Sequence, residues 1–188
     1  MLQVGAFARP RNMTPYAVSQ MSTARRVIDF RPTLKQPLEG EHMPTRKAEA
    51  EWKGNLKDGQ GRVKLGSGAF EGQYSFPSRF EEGKGTNPEE LIAAAIAGCF
   101  SMALSAGLTK AGHNPTRIFT TANAHLNKVG EGFEINQIDL VTEAEIPGID
   151  EATFKKEAEA AKAGCPVSKL YKGATINLQA HLKTPQRA

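Results

Sequence analysis

Polar and apolar residues begin to alternate near position 47. Ala48, Ala50 and Trp52 are interleaved with Lys47, Glu49, Glu51 and Lys53, the period-two pattern of a half-buried strand. Residues 54–61 are turn material, with Asp58-Gly59 as a hairpin signal. Residues 62–65, with Val63 and Leu65 on one face, and residues 69–76 read as two more strands, so this part predicts an antiparallel meander. The alternation stops at residues 86–111. Leu91, Ile92, Ile96, Cys99, Phe100, Met102 and Leu104, with six alanines among them, point all round a helix. Asn87 suits the N-cap, Pro88 the first helical position, and Glu90 completes a capping box; Gly112 and Pro115 mark the stop. That gives about 24 helical residues, or about 36 Å. A helix without a polar face is buried in protein or in a membrane. Gly98, Ser101 and Ser105 break the apolar run, which predicts a buried core helix and not a span.

Three further strands follow at 118–126, 133–145 and 174–183, the first two separated by Gly130-Glu131-Gly132. Asp150 caps a predicted helix over 151–163 that stops at Gly164, and Pro166 opens a short helix with Cys165 at its cap. Three strands, helix, two strands, helix and strand make an α+β fold with a mainly antiparallel sheet. Residues 77–85 read as a charged loop just before the central helix. Within it Arg79 stands between Phe76 and Phe80, which suggests a partly enclosed guanidinium, although a solvated surface charge is the plainer reading.

Composition narrows the possibilities. The 188 residues are enough for one domain, and 39% apolar with 23% charged residues fit a soluble protein. The formal charge is +4, but residues 1–42 carry six basic against three acidic side chains, leaving only +1 for the rest. A nearly neutral domain gives no reason to expect nucleic acid, and we expect no membrane partner. The first 28 residues lack an acid, the composition of a transit peptide. The plainer reading is preferred: Met43-Pro44 resembles a natural start, residues 1–42 are an extension outside the fold, and residues 43–188 are the domain. Two cysteines 66 positions apart exclude a disulfide scaffold and a CxxC motif, and four scattered histidines make metal chemistry unlikely.

Cysteines kept free in a reducing, cytoplasmic setting invite redox chemistry. A peroxide-reducing cysteine must be a thiolate, so it needs a cation nearby and a second thiol to resolve its sulfenic acid. Cys99 on the long helix, Arg79 as the cation, Glu89 as a two-pronged partner aiming Arg79, and Cys165 as the resolving thiol meet those needs. On composition and spacing alone, two buried structural cysteines remain the default.

The local sequences change that balance. Arg79-Phe80-Glu81, residues 85–91, Cys99-Phe100-Ser101-Met102-Ala103 and residues 163–168 around Cys165-Pro166 resemble the osmotically inducible protein C and organic hydroperoxide resistance family. The likeness runs over about residues 43–183 and is closer to the osmotically inducible branch. The resemblance implies a stress-defence peroxidase that reduces organic hydroperoxides and, less well, hydrogen peroxide. It implies an intertwined homodimer with the long helices buried between sheets, Cys99 as peroxidatic and Cys165 as resolving residue, and Arg79 with Glu89 in support. It implies reduction by a lipoyl-type dithiol, with no bound cofactor. Ile96 and Gly98 depart from the usual family residues and are expected to reshape the pocket, whose apolar wall is assigned to Ile96, Phe100, Met102 and Phe80.

Helical geometry adds a constraint. Glu89 and Cys99 are separated by about 15 Å of rise and roughly 80° of rotation on one helix. An antiparallel partner helix would bring its own Glu89 to this Cys99, so the expected site is shared between two chains. The rival expectation is a non-catalytic dimeric module holding a hydrophobic small molecule, for which Cys99→Ser would be silent.

Overall fold

In the computed structural model, residues 44–183 are described. Strands β1 (Ala48–Lys53), β2 (Gln60–Leu65) and β3 (Glu71–Ser75) form an antiparallel meander. A short helix α1 (Phe76–Phe80) leads to the long helix α2 (Pro88–Lys110). Strands β4 (Arg117–Val129) and β5 (Gly132–Glu145) pair as a long antiparallel hairpin. Helices α3 (Glu151–Gly164) and α4 (Pro166–Leu170) precede the last strand, β6 (Thr175–Lys183). The described strands form two three-stranded sheets, β1-β2-β3 and β4-β5-β6.

The α+β class and the order of its main elements follow the hydrophobic pattern. Three of the four strand pairings are antiparallel, but β6 lies parallel to β5, with Gln137 opposite Thr175. The cause is the connection: a parallel return needs a crossover, and α3 with α4 supplies it. The presumed extent of residues 1–42 lies outside the described residues. The segment after β3 departs from its reading as a loop, because Ser75 and Ser78 cap one another and start α1.

Asn87 does cap α2, its Oδ1 accepting the Glu90 N–H at 2.8 Å. The capping box is only half made, since the Glu90 carboxylate accepts the Thr86 hydroxyl at 2.8 Å instead of turning back to Asn87. Ile96, Phe100, Leu104 and Leu108 recur every fourth residue on α2 and are fully buried against Ile138, Leu140, Ala144, Phe154 and Ala158. Each such side chain contributes about 1.5–3 kcal/mol by leaving water. Hydroxyls fix the helix to the sheet: Ser101 donates to Thr120 Oγ1 at 2.8 Å, and Thr120 and Thr142 are 3.0 Å apart.

The opposite side of α2 is left open by the described residues of this chain. Ala94, Ala95, Gly98, Met102 and Ala106 are exposed, Met102 by 76%. The helix is long and apolar enough to cross a membrane, yet one face already belongs to a protein core. Its lack of a polar face therefore reflects two apolar faces, one packed in the core of this chain and one uncovered by the described residues.

Candidate active site

The site begins with the junction that carries Arg79. Ser75 Oγ accepts the Ser78 N–H at 3.2 Å and Ser78 Oγ accepts the Ser75 N–H at 2.8 Å, a reciprocal cap that starts α1 after β3. Ser78 Oγ also donates to the Thr86 carbonyl at 2.9 Å, and Asn87 Nδ2 donates to the Ser78 carbonyl at 3.1 Å. Gly85 makes the approach possible: its φ is +124°, and a Cβ there would lie 2.7 Å from the Gln73 carbonyl oxygen. These bonds hold α1 against the start of α2, which sets Arg79 beside Glu89.

Arg79 donates to Glu89 Oε1 from Nη2 at 2.8 Å and from Nε at 3.2 Å. The pair is two-pronged as expected, but both prongs meet one oxygen. Glu89 Oε2 is buried and has no hydrogen-bond partner among the described residues. The Arg79 side chain is 36% exposed and its guanidinium lies 5.2 Å from the Phe80 ring centroid. Beside it opens a cavity of ≈ 290 Å³ lined by Trp52, Leu56, Tyr74, Phe76, Arg79 and Phe80 among others. Of the apolar wall expected from sequence, only Phe80 lines this cavity. Ile96 and Phe100 are spent in the core, and Met102 faces outward.

The second half of the site joins α2 to the α3–α4 junction. Cys99 is partly buried and Cys165 fully buried. The Cys99 and Cys165 sulfurs are paired across 2.6 Å, and the Ser168 N–H donates to Cys165 Sγ at 3.5 Å. Burial, and then the adjacent Cys165 thiol, push Cys99 above the usual thiol range. Burial acts on Cys165 in the same direction, but the hydrogen bonds its sulfur accepts from Cys99 and Ser168 outweigh it and bring Cys165 below that range. At Cys99, among the described residues, the Val167 N–H pulls downward without outweighing burial.

The four residues singled out from sequence thus form two pairs, Arg79 with Glu89 and Cys99 with Cys165. One chain does not bring the pairs together: α2 runs unbroken from Pro88 to Lys110, so Glu89 and Cys99 stay about 15 Å apart along it. The hydrogen bonds of Arg79 among the described residues all go to Glu89. Sequence reasoning missed the positioning roles of Ser75, Ser78 and Thr86. The Ser-x-x-Ser spacing at 75–78 was the available signal, masked by its place directly after a strand.

A profile of the family described as OsmC-like protein matches residues 81–179. Peroxiredoxin OsmC of Escherichia coli is 52% identical over 140 residues, 74% of this chain and 97% of that protein. Among solved structures, the organic hydroperoxide resistance protein OhrB of Bacillus subtilis matches with a TM-score of 0.54 at 23% identity, over 73% of this chain and 98% of the other. An OsmC-like protein of Mycoplasma pneumoniae matches with a TM-score of 0.59 at 14% identity, over 74% and 97% of the two chains. At those identities the two structures speak for the fold alone.

Proposed function

The chain belongs to the OsmC-like protein family, and from that premise we propose that it is a peroxiredoxin-type enzyme that reduces organic hydroperoxides in stress defence. The observation that carries this reading is the approach of two free thiols to 2.6 Å. A disulfide needs only about 0.6 Å less, so the second sulfur already stands where a sulfenic acid on the first must be resolved.

The Cys99 thiolate attacks the distal oxygen of the hydroperoxide. The O–O bond breaks, an alkoxide leaves and takes a proton to become an alcohol, and Cys99 becomes a sulfenic acid. The Cys165 thiolate then attacks the Cys99 sulfur, expelling hydroxide, which is protonated to water. The Cys99–Cys165 disulfide is reopened by an external dithiol of the lipoyl type, in a reducing compartment such as the cytoplasm.

This chemistry needs a cation at Cys99, which the described residues of one chain do not provide. The reading therefore includes a homodimer in which the partner's Arg79 and the partner's Glu89 face Cys99. Two features support it. The exposed stripe of Ala94, Ala95, Gly98, Met102 and Ala106 is apolar and small enough to seat a second helix. The unpartnered Glu89 Oε2 is a buried acceptor awaiting a donor. The aromatic cavity at Arg79 favours an aryl or other bulky organic hydroperoxide over hydrogen peroxide; equal rates for cumene hydroperoxide and hydrogen peroxide would remove that preference.

The test is peroxide consumption with dihydrolipoamide as reductant. Wild-type protein should turn over, Cys99→Ser should be inactive, and Cys165→Ser should consume about one equivalent of peroxide per site in its first turnover. No peroxide consumption by wild-type protein would reject the enzyme reading and favour a binding module, whereas full activity in Cys99→Ser would remove Cys99 from the cycle.

A further inference from the structure

Ser168 presents an unusual combination. Its N–H already bonds Cys165 Sγ at 3.5 Å. Its hydroxyl, three covalent bonds from that N–H, is buried and outside hydrogen-bond geometry with any described residue, yet lies near enough to Cys165 to favour its thiolate. A buried hydroxyl left unpaired carries a desolvation cost and calls for an explanation. Cys165 itself has no solvent exposure, so water cannot solvate a charge that forms on its sulfur. Once Cys99 has been oxidised, Cys165 must act as a thiolate. At that moment the nearest need for a donor and the unused donor lie three residues apart on α4.

We propose that the Ser168 hydroxyl is a donor held in reserve for the Cys165 thiolate, and that it tunes the step in which Cys165 resolves the Cys99 sulfenic acid. The inference rests on the disulfide cycle set out above. It accounts for the unsatisfied oxygen: a neutral thiol is a weak acceptor and leaves the hydroxyl idle, whereas a thiolate is a strong one. In the step, the Cys165 sulfur is oxidised as it bonds to Cys99. The Cys99 sulfur is reduced from the sulfenic level as its S–O bond breaks, and the oxygen departs as hydroxide and is protonated to water. Ser168 gains and loses only a hydrogen bond. The reduced pair is already consistent with this arrangement, since the hydrogen bonds to Cys165 make it the easier of the two thiols to ionise despite its burial.

The donor has opposite effects on the two factors of the rate. It increases the fraction of thiolate, yet a better-stabilised thiolate is a weaker nucleophile. A tenfold loss of thiolate in Ser168→Ala, offset about threefold by greater intrinsic nucleophilicity, leaves resolution roughly threefold slower at neutral pH. At alkaline pH, where wild type and variant are both fully ionised, the variant should be about threefold faster.

The experiment is stopped-flow mixing of reduced protein with one equivalent of cumene hydroperoxide over a range of pH. Sulfenic acid at Cys99 is trapped with dimedone, and disulfide formation is followed by loss of free thiol. The expected result is unchanged sulfenic acid formation in Ser168→Ala, with resolution rates that cross those of wild type as pH rises. Should the alanine variant fold poorly, Ser168→Thr and Ser168→Val make a pair of equal shape, of which only threonine should restore the wild-type profile. A constant ratio of rates at every pH, or equal behaviour of Thr and Val, would overturn the proposal and leave Ser168 as packing. Wild-type protein that forms sulfenic acid but no Cys99–Cys165 disulfide would instead defeat the cycle on which the inference stands, and the inference with it.

Discussion

Met102→Lys is the change that most directly separates one chain from two. In the single chain Met102 is 76% exposed, on the face of α2 away from the core. A lysine there costs the isolated chain little, since exposed substitutions usually stay within about 0.5 kcal/mol. Under the proposed second copy of α2 the same position would lie in an apolar seam. Burying a methionine side chain is worth about 1.5–3 kcal/mol. A two-fold interface contains each position twice, so the loss reaches about 3–6 kcal/mol before any desolvation of the charge. That corresponds to a dissociation constant weakened by about 10²- to 10⁴-fold. Sedimentation velocity over a dilution series reads the shift directly. Peroxidase activity should fall in step with the dimer fraction, because the separated chain holds its cation away from Cys99. A Met102→Lys protein that sediments, melts and turns over like wild type would refute the placement of a second chain on this face.

Two further outcomes follow from the same geometry. Glu89→Gln removes the charge that fixes the Arg79 guanidinium while keeping its shape; kcat/KM should drop by about 10- to 100-fold, equivalent to about 1.4–2.8 kcal/mol, with little change in melting temperature. No drop would show that Arg79 needs no such partner. Asp139 accepts from Asn177, Gln137 and His125, which hold its carboxyl below the usual range. A depressed native value means that its stabilisation is complete above the unfolded value of about 3.9 and is lost as pH falls below it. Chemical denaturation at pH 3 to 6 should show a steeper acid loss for wild type than for Asp139→Asn; identical slopes would remove the network from the acid response.

The elements were legible where periodicity was strong. The alternation of Ile176, Leu178, Ala180 and Leu182 marked β6, and the Asn87-Pro88 start located α2 to the residue. Direction was not legible, because the alternation of β6 is the same whichever way the strand runs; its parallel pairing is set by the α3–α4 crossover. The candidate site was readable as four residue types, but two residues expected in its apolar wall, Ile96 and Phe100, turn into the core. Ile96 and Phe100 flank Cys99 in sequence, yet a helix turns about 100° per residue, so neighbours in sequence face different partners. The cavity at Arg79 is instead built from β1, β3 and α1, through Trp52, Tyr74 and Phe76, residues that no local motif linked to the cysteines. Ser168 was visible in the motif after Cys165, but its idle hydroxyl is a three-dimensional fact.

Cys165 rides on the crossover between β5 and β6, whereas Cys99 belongs to the helix beneath it. Oxidation would consequently staple a 66-residue loop shut, a restraint on the unfolded chain worth up to about 4 kcal/mol. The spent catalyst would be the tougher molecule and the armed catalyst the softer one. Heat resistance would then report the redox history of the protein, with the reductant trading durability for readiness at each turnover.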